Sequence, residues 1–425
     1  MPSSALESEH FVQPSQLCIG LYVHLDLSWT QHPFTFSSFK IRSSEQIATI
    51  QSLGLTRIRY NPDKSDTPPL PASELPTTAP TTLPAPLPAA EFDPMAAVHR
   101  ERLERLAQQR AKAKACEAQL VNAARTIKSI NQNVFAKPTE VKESAQALID
   151  GMAASMMVEA DVSIQLMSDK VGGEEVYHHS LNVCLLSMML AKELQAPAPV
   201  VRQVGIAALF HDIGELELPD RIARHTEPLN KAELSLWQQH CEYGVQIGKK
   251  LGLPADVLQV IAQHHERIDG TGFPARAKAP QMSLMSRIVS LVNAYDELCN
   301  PNEVSKALTP HEALSTMFAQ WRSQFDAMAM STFVRCMGVY PPGTLVVLSN
   351  GALGMVVSVN TTKPLRPMVL IHDPAVPRDE AILIDLEQVP DVSITKTMRP
   401  QQLSPEAHAY LSPRKRTTYY FDSES

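Results

Sequence analysis

Between Thr139 and about Met337 apolar residues recur at intervals of three and four almost without interruption, which makes a helical bundle the principal architecture of the chain. Ala145-Leu148-Ile149-Met152 and Leu181-Cys184-Leu185-Met188-Met189 each place an apolar stripe on one helix face. Turn-forming residues separate the helices: Gly172-Gly173, Pro197 with Pro199, Pro219, Gly252 with Pro254, and Gly270-Thr271-Gly272. Residues 139–340 are therefore read as one helical domain.

The flanks have other patterns. Residues 1–62 read as a small α/β domain. Strand-like pieces occupy Val12 to Val23, Trp29, Pro33, Phe34, Phe36 and Phe39 supply an aromatic cluster, and Ser43 caps a helix that carries Gln46 three residues on and ends at Gly54. Thr56 to Tyr60 alternates as a strand. Residues 63–94 are rich in Pro, Thr and Ala and predict an extended, semi-stiff linker. Residues 95–138 predict a charged connecting helix. Leu106, Ala113, Leu120, Ile127 and Val134 recur every seven residues and offer a modest dimer seam, so a homodimer is left open. After Pro341-Pro342-Gly343, the segments Thr344–Leu348, Met355–Val359, Met368–His372 and Ala381–Leu386 are β-rich, and 341–392 reads as a small β appendage. Residues 393–425 are expected to form a loosely held polar tail.

Composition narrows the functional classes. A net charge of −7 disfavours a general nucleic-acid-binding face. Six scattered cysteines without a C-x-x-C predict reduced thiols in a cytoplasmic protein. No apolar run reaches eighteen residues and the polar first residues do not resemble a signal peptide, so no membrane insertion is expected.

The chemistry concentrates in the helical domain. Glu175 and His179 are four apart and share a helix face, whereas His178 points elsewhere. His211-Asp212 closes an apolar run, His240 has an inward-facing periodicity with Leu234, Trp237 and Val245, and His264-His265 follows Val257-Leu258-Val260-Ile261. Five of the fourteen histidines thus gather in one helical region with two carboxylates. Imidazole and carboxylate without thiolate favour Fe, Mn or another borderline cation over structural zinc. Asp212 can bridge two cations while His211 binds one, and two or three such ions would activate water and clamp a phosphoryl group. Phosphodiester hydrolysis is the natural reaction class. Gly270 and Gly272 follow directly and permit close backbone approach to a ligand.

Taken together, HHSLNV, ALFHDIGE, LNKAELSLWQQHCEYG, IAQHHERIDGTGFP and SRIVSLVNAYDEL resemble the HD-GYP family, a subgroup of the HD phosphohydrolases that hydrolyse cyclic di-GMP. The resemblance covers roughly residues 140–340, and the module from Trp29 to Tyr60 resembles a small domain that often precedes it. It implies a helical bundle with metals held between helices. It also implies metal ligands at Glu175, His179, His211, Asp212, His240, His264 and His265, with an eighth position at Asn293, where the family has Asp. Asp212 and His211 would be catalytic. Gly270, Gly272, Phe273 and Lys306 would meet the substrate.

Four departures fall in the substrate pocket. Glu215 stands where the family has Lys and should repel phosphate. Phe273 keeps the stacking face of the family's Tyr without its hydroxyl. Asn293 can coordinate through its amide oxygen but brings no charge. Asn302 and Ser305 replace expected arginines, with Lys306 one residue out of register. The leading expectation is a metal-dependent cyclic di-GMP phosphodiesterase yielding pGpG or GMP. The alternative is a degenerate domain that senses metal or nucleotide or scaffolds other signalling proteins, and a third reading is hydrolysis of another phosphorylated substrate.

Overall fold

The periodic stretch folds as helices around one buried core, in a computed structural model of the 425-residue chain. The structure describes residues 10–71 apart from 28–31, 33, 35 and 36, then residue 104, residues 121–158 and 164–166, and residues 178–421 apart from 361, 375, 379, 380 and 412–418. The chain divides into one unit of residues 1–108 and 373–382 and another of residues 109–372 and 383–425.

In the first unit, strands β1 (His10–Val12), β2 (Tyr22–His24), β3 (Ser38–Lys40) and β4 (Ile58–Tyr60) form an antiparallel sheet in the order β1-β4-β2-β3. Helix α1 (Ser44–Ser52) starts as its sequence predicts. The Ser43 side chain accepts from Gln46 N, and Gln46 returns a bond to Arg42 N at 2.7 Å. Gly54, at φ +70°, takes the left-handed conformation beyond its end. The core is aliphatic, built from Val12, Leu21, Val23, Leu25, Ile41, Ile50 and Ile58. Of the expected aromatic cluster, Phe34 and Phe39 pack at 4.4 Å on the edge of this core, while Trp29, Pro33 and Phe36 lie outside the described residues. The start of the proline-rich stretch is bound to the unit instead of acting as a spacer. Asp66 N donates to Gly20 O and Leu70 N to Gln16 O, the latter through an amide hydrogen that its neighbours Pro69 and Pro71 lack.

The second unit begins with helix α2 (121–133) and α3 (Pro138–Val158). It continues through the short strand β5 (Ile164–Leu166) to α4 (His178–Glu193) and α5 (Ala198–Leu209). Then come α6 (Asp220–Ala223), α7 (Lys231–Gln238), α8 (His240–Lys250) and α9 (Ala255–Gln263), followed by α10 (Leu284–Cys299), α11 (Pro310–Gln320) and α12 (Ala327–Met337). Helix starts are set by local side chains. Asn230 with Glu233 and Thr309 with Glu312 form capping boxes, and Ser283 and Asp326 accept backbone bonds at the starts of α10 and α12. Helix α4 is buried on every face from Leu181 to Ala191, so it is the central helix, and α3, α5, α10 and α12 pack around it. In α2, Ile127 and Ile130 join this core together with Val134 just beyond the helix. The apolar positions read as a dimer seam are thus occupied within the chain at Ile127 and Val134, and Leu106, Ala113 and Leu120 lie outside the described residues.

The β-rich segment forms β6 (Leu345–Leu348), β7 (Leu353–Ser358), β8 (Met368–His372), β9 (Ile382–Asp385) and β10 (Ile394–Met398). Helix α13 (Pro405–Leu411) and strand β11 (Tyr419–Phe421) follow. Antiparallel pairing joins β10 to β6, β6 to β7 and β7 to β8, and β5 and β11 extend the same sheet. Residues 394–411 correct the expectation of a loose polar tail. Their β10 is apolar only at its two ends, Ile394 and Met398, yet its backbone closes the open edge of β6, and Ala407 and Leu411 of α13 are buried. Among the described residues no helix is long and apolar enough to cross a membrane.

Candidate metal centre

Three of the histidines sit at the ends of helices, and the backbone there fixes their rings. His211 follows α5 and its Nδ1–H donates to Ala208 O at 2.7 Å. His240 opens α8 and donates to Trp237 O at 2.7 Å. His264 follows α9 and donates to Ile261 O at 2.7 Å. A carbonyl oxygen can only accept, so each proton is held on Nδ1 and each Nε2 presents a lone pair. His179, in the first turn of α4, is oriented by a carboxylate: its Nδ1–H donates to Asp296 Oδ2 at 2.7 Å. Asp296 is itself held by Asn182 Nδ2 at 2.8 Å and Asn300 Nδ2 at 2.9 Å. Carboxylate–histidine pairs of this kind orient metal ligands.

Asp212 stands between two histidine pairs. Its Oδ2 is 3.0 Å from His211 Nε2 and 3.4 Å from His179 Nε2. Its Oδ1 is 3.2 Å from His264 Nε2 and 3.6 Å from His240 Nε2. The cluster therefore has two halves, His179-His211-Asp212 and Asp212-His240-His264-His265, each close enough to hold one ion. His211, His240 and His264 are fully buried.

The donor set fits metal on its own geometry. His240 and His264 bring their Nε2 atoms within 3.0 Å of each other, and both Nδ1 atoms already carry the proton. Two lone pairs at that distance repel unless a cation lies between them. Nitrogens about 2.1 Å from one ion and at right angles stand about 3.0 Å apart; in a tetrahedron they stand about 3.4 Å apart. His179 and His211 repeat the spacing at 3.1 Å. Asn293 adds a buried amide oxygen with no hydrogen-bond partner.

Backbone contact brings the halves together. A Cβ on Gly214 would lie 1.9 Å from His240 O and 2.4 Å from Gly244 N, so the turn after Asp212 presses directly on the start of α8. A Cβ on Gly272 would lie 2.5 Å from His265 O, so the Gly270-Thr271-Gly272 loop folds back on the His264-His265 pair. Glu266, fully buried, anchors that loop by accepting from Ala275 N at 2.6 Å and Ala277 N at 2.9 Å. Phe273 stacks on His265 at 4.5 Å, and Trp237 lies against His240, His265 and Phe273.

The electrostatics match ligand duty. Burial pushes the pKa of His264 down to about 4 and lowers those of His240 and His265, so all three are neutral donors at neutral pH. Burial would raise Asp212, but the imidazoles of His211, His179 and His264 that face its two oxygens hold it well below the usual carboxylate range. Burial would lower His179, but Asp212 and Asp296 hold its proton and raise it well above its usual value. Glu215 is pushed up to about 8, first by burial and then by the charge on Asp212.

Of the residues singled out in the sequence, His179, His211, Asp212, His240, His264 and His265 converge. Asn293 lies on α10, whose Asp296 touches His179, and Glu175 lies outside the described residues. Phe273 and Gly272 border the cluster. Gly270, at φ +82°, supplies the left-handed turn of the loop. Lys306 is surface-exposed and paired with Glu303 at 2.5 Å. Four residues were missed: Asp296, Glu266, Trp237 and Glu297, whose Oε1 accepts from Asn293 Nδ2 at 3.1 Å and lies 3.7 Å from His265 Nδ1. The positions of Trp237, three before His240, and of Glu297, four after Asn293, were the available signal.

Comparison with known proteins gives the chain's family. Residues 161–328 match the family model of the HD domain, residues 11–144 match a domain of unknown function, and residues 345–405 match a KOW domain associated with the HD domain. Cyclic di-GMP phosphodiesterase PA4108 of Pseudomonas aeruginosa is 30% identical over 365 residues, covering 84% of this chain and 83% of that protein. Cyclic di-GMP phosphodiesterase PdeB of Borreliella burgdorferi is 22% identical over 195 residues, covering 45% and 52%. Among solved structures, Bd1817, a HDG"Y"P protein from Bdellovibrio bacteriovorus, is 15% identical with a TM-score of 0.40, covering 77% of this chain and 98% of that one. With the HD-domain model spanning the converging histidines and a relative matched along most of both lengths, the chain belongs to the HD-domain family.

Proposed function

We propose that this chain is a metal-dependent phosphodiesterase that hydrolyses cyclic di-GMP to pGpG or GMP in bacterial second-messenger signalling, acting in the cytoplasm. The observation that carries the reading is Asp212, whose two oxygens each face a separate pair of imidazole nitrogens. That is the donor arrangement of a site with two ions and a bridging carboxylate. One half offers two imidazoles and the other three, each with the shared carboxylate, and the right-angle nitrogen spacing favours Fe or Mn over tetrahedral zinc. The nucleotide is supported by the relative from Pseudomonas aeruginosa, a cyclic di-GMP phosphodiesterase by name.

His179, His211, His240, His264 and His265 would hold the ions, with Glu175 and Asn293 as further ligands. Bound there, divalent ions supply Lewis acidity for the phosphoryl group and lower the pKa of water. Asp212 and His211 set the point where the phosphodiester and the attacking water meet. Phe273 offers a face for base stacking, and Gly270 and Gly272 let the loop backbone come close to the ligand. Lys306 is the weakest member of the substrate set, since Glu303 already holds its charge.

The test pairs metal analysis with turnover. Protein purified without chelator should carry about two ions per chain and cleave cyclic di-GMP with Fe or Mn, and Asp212→Ala should lose both properties. Metal-free wild-type protein, or turnover no greater than that of Asp212→Ala, would refute the reading.

A further inference from the structure

Asn293 puts a neutral amide where the resembling family has an acidic ligand, and the structure offers a replacement for the missing charge. Asn293 is fully buried on α10, and its Oδ1 has no hydrogen-bond partner. Its Nδ2 donates to Glu297 Oε1 at 3.1 Å. The same Oε1 lies 3.7 Å from Nδ1 of His265, one of the clustered histidines. Asn293, Asp296 and Glu297 stand at i, i+3 and i+4, so one helix face serves both halves of the cluster. Asp296 reaches His179 and Glu297 reaches His265.

We propose that Asn293 and Glu297 together act as a divided carboxylate: Asn293 provides the oxygen donor, and Glu297 provides its negative charge and fixes the amide orientation. The inference rests on the metal-binding reading above. An amide has one face that can coordinate a cation and one that repels it. An acceptor fixed on the NH2 side leaves the oxygen as the end available to the ion. Glu297 binds that NH2 group, so it is a positioning residue for Asn293. It also places a carboxyl group one helical turn from position 293, beside His265. Removing such outer-shell support typically costs roughly 10- to 100-fold in metal affinity.

The experiment measures metal rather than turnover. Full-length wild type, Glu297→Ala, Asn293→Asp and the double variant Asn293→Asp/Glu297→Ala are loaded with Mn or Fe. Metal stoichiometry is read by elemental analysis and affinity by chelator competition. Glu297→Ala should weaken the ion's binding roughly 10- to 100-fold. Adding Asn293→Asp to Glu297→Ala should restore it, because the carboxylate then returns to the ligand position itself. Asn293→Asp alone should gain less, since it places two carboxylates one turn apart. A fold defect in Glu297→Ala would not be repaired by a charge at 293, so the rescue separates positioning from stability. Unchanged affinity in Glu297→Ala, or no rescue in the double variant, overturns the divided carboxylate while leaving the metal site standing. Absence of metal from the wild type overturns both.

Discussion

At Gly214 the turn after Asp212 leaves no room for a side chain against His240. Gly214→Ala would put a methyl group 1.9 Å from His240 O and 2.4 Å from Gly244 N. Ordinary contact begins near 3.4 Å, so the turn after Asp212 and the start of α8 would have to separate by about 1.5 Å. Both neighbours are backbone, and neither can rotate away. Overpacking of this kind costs about 1–3 kcal/mol, and this case belongs at the upper end. A domain of this size loses roughly 2–4 °C of Tm per kcal/mol, so a fall of about 6–12 °C is expected. The same movement takes His240 away from Asp212 Oδ1, now 3.6 Å from it, and metal sites need placement within about 0.5 Å. Metal occupancy should therefore fall along with stability. The control is Gly151→Ala in α3, where an added methyl meets no atom within 4 Å. Helix propensity predicts that this variant gains roughly 0.5–1 kcal/mol. Thermal melts and metal analysis of both variants decide the matter. An unchanged Tm and full metal content in Gly214→Ala would refute the contact argument.

Two further predictions concern protons. His179 carries a raised pKa in the metal-free protein because Asp212 and Asp296 hold its proton, so at pH 7 metal uptake should release about one proton there. Apparent affinity should then rise by up to about tenfold per pH unit below that pKa, and calorimetry in buffers of different ionisation enthalpy would reveal the release; no buffer dependence would count against it. Glu215 has a folded pKa of about 8 against an ordinary 4.5, so the folded state binds the extra proton and loses stability as pH rises through that window. Glu215→Gln should therefore melt several degrees above wild type at pH 8 and close to it at pH 5 in chelated protein, and parallel melting profiles would show that burial of Glu215 is not costly.

The histidine cluster was legible because helical periodicity tells which residues share a face, and His211, His240 and His264 each stand at a helix boundary with the ring held by the carbonyl three residues before. What periodicity could not supply was pairing across helices. That Asp212 gives one oxygen to each histidine pair depends on how α4, α5, α8 and α9 pack. Glu297 escaped notice because, taken alone, it is one more carboxylate on a helix; its meaning comes from the amide one turn before it. Glu266 reads as the third member of a His-His-Glu run, and only the fold shows it turned away to hold Ala275 and Ala277. Strand β10 was illegible for another reason: an edge strand is held by backbone bonds that leave little trace in side-chain pattern.

The three backbone-locked histidines share one more property. Ala208, Trp237 and Ile261, whose carbonyls hold their rings, lie in the last turns of α5, α7 and α9. The negative ends of three helix dipoles therefore meet the space where the ions would sit, together with the positive ends of α4 and α8, whose first turns carry His179 and His240. Each such end carries about half an elementary charge, independent of protonation and of any side chain. The scaffold itself thus contributes fixed partial charges of both signs around the ions' place, and this part of the site's electrostatics cannot be removed by substituting a ligand.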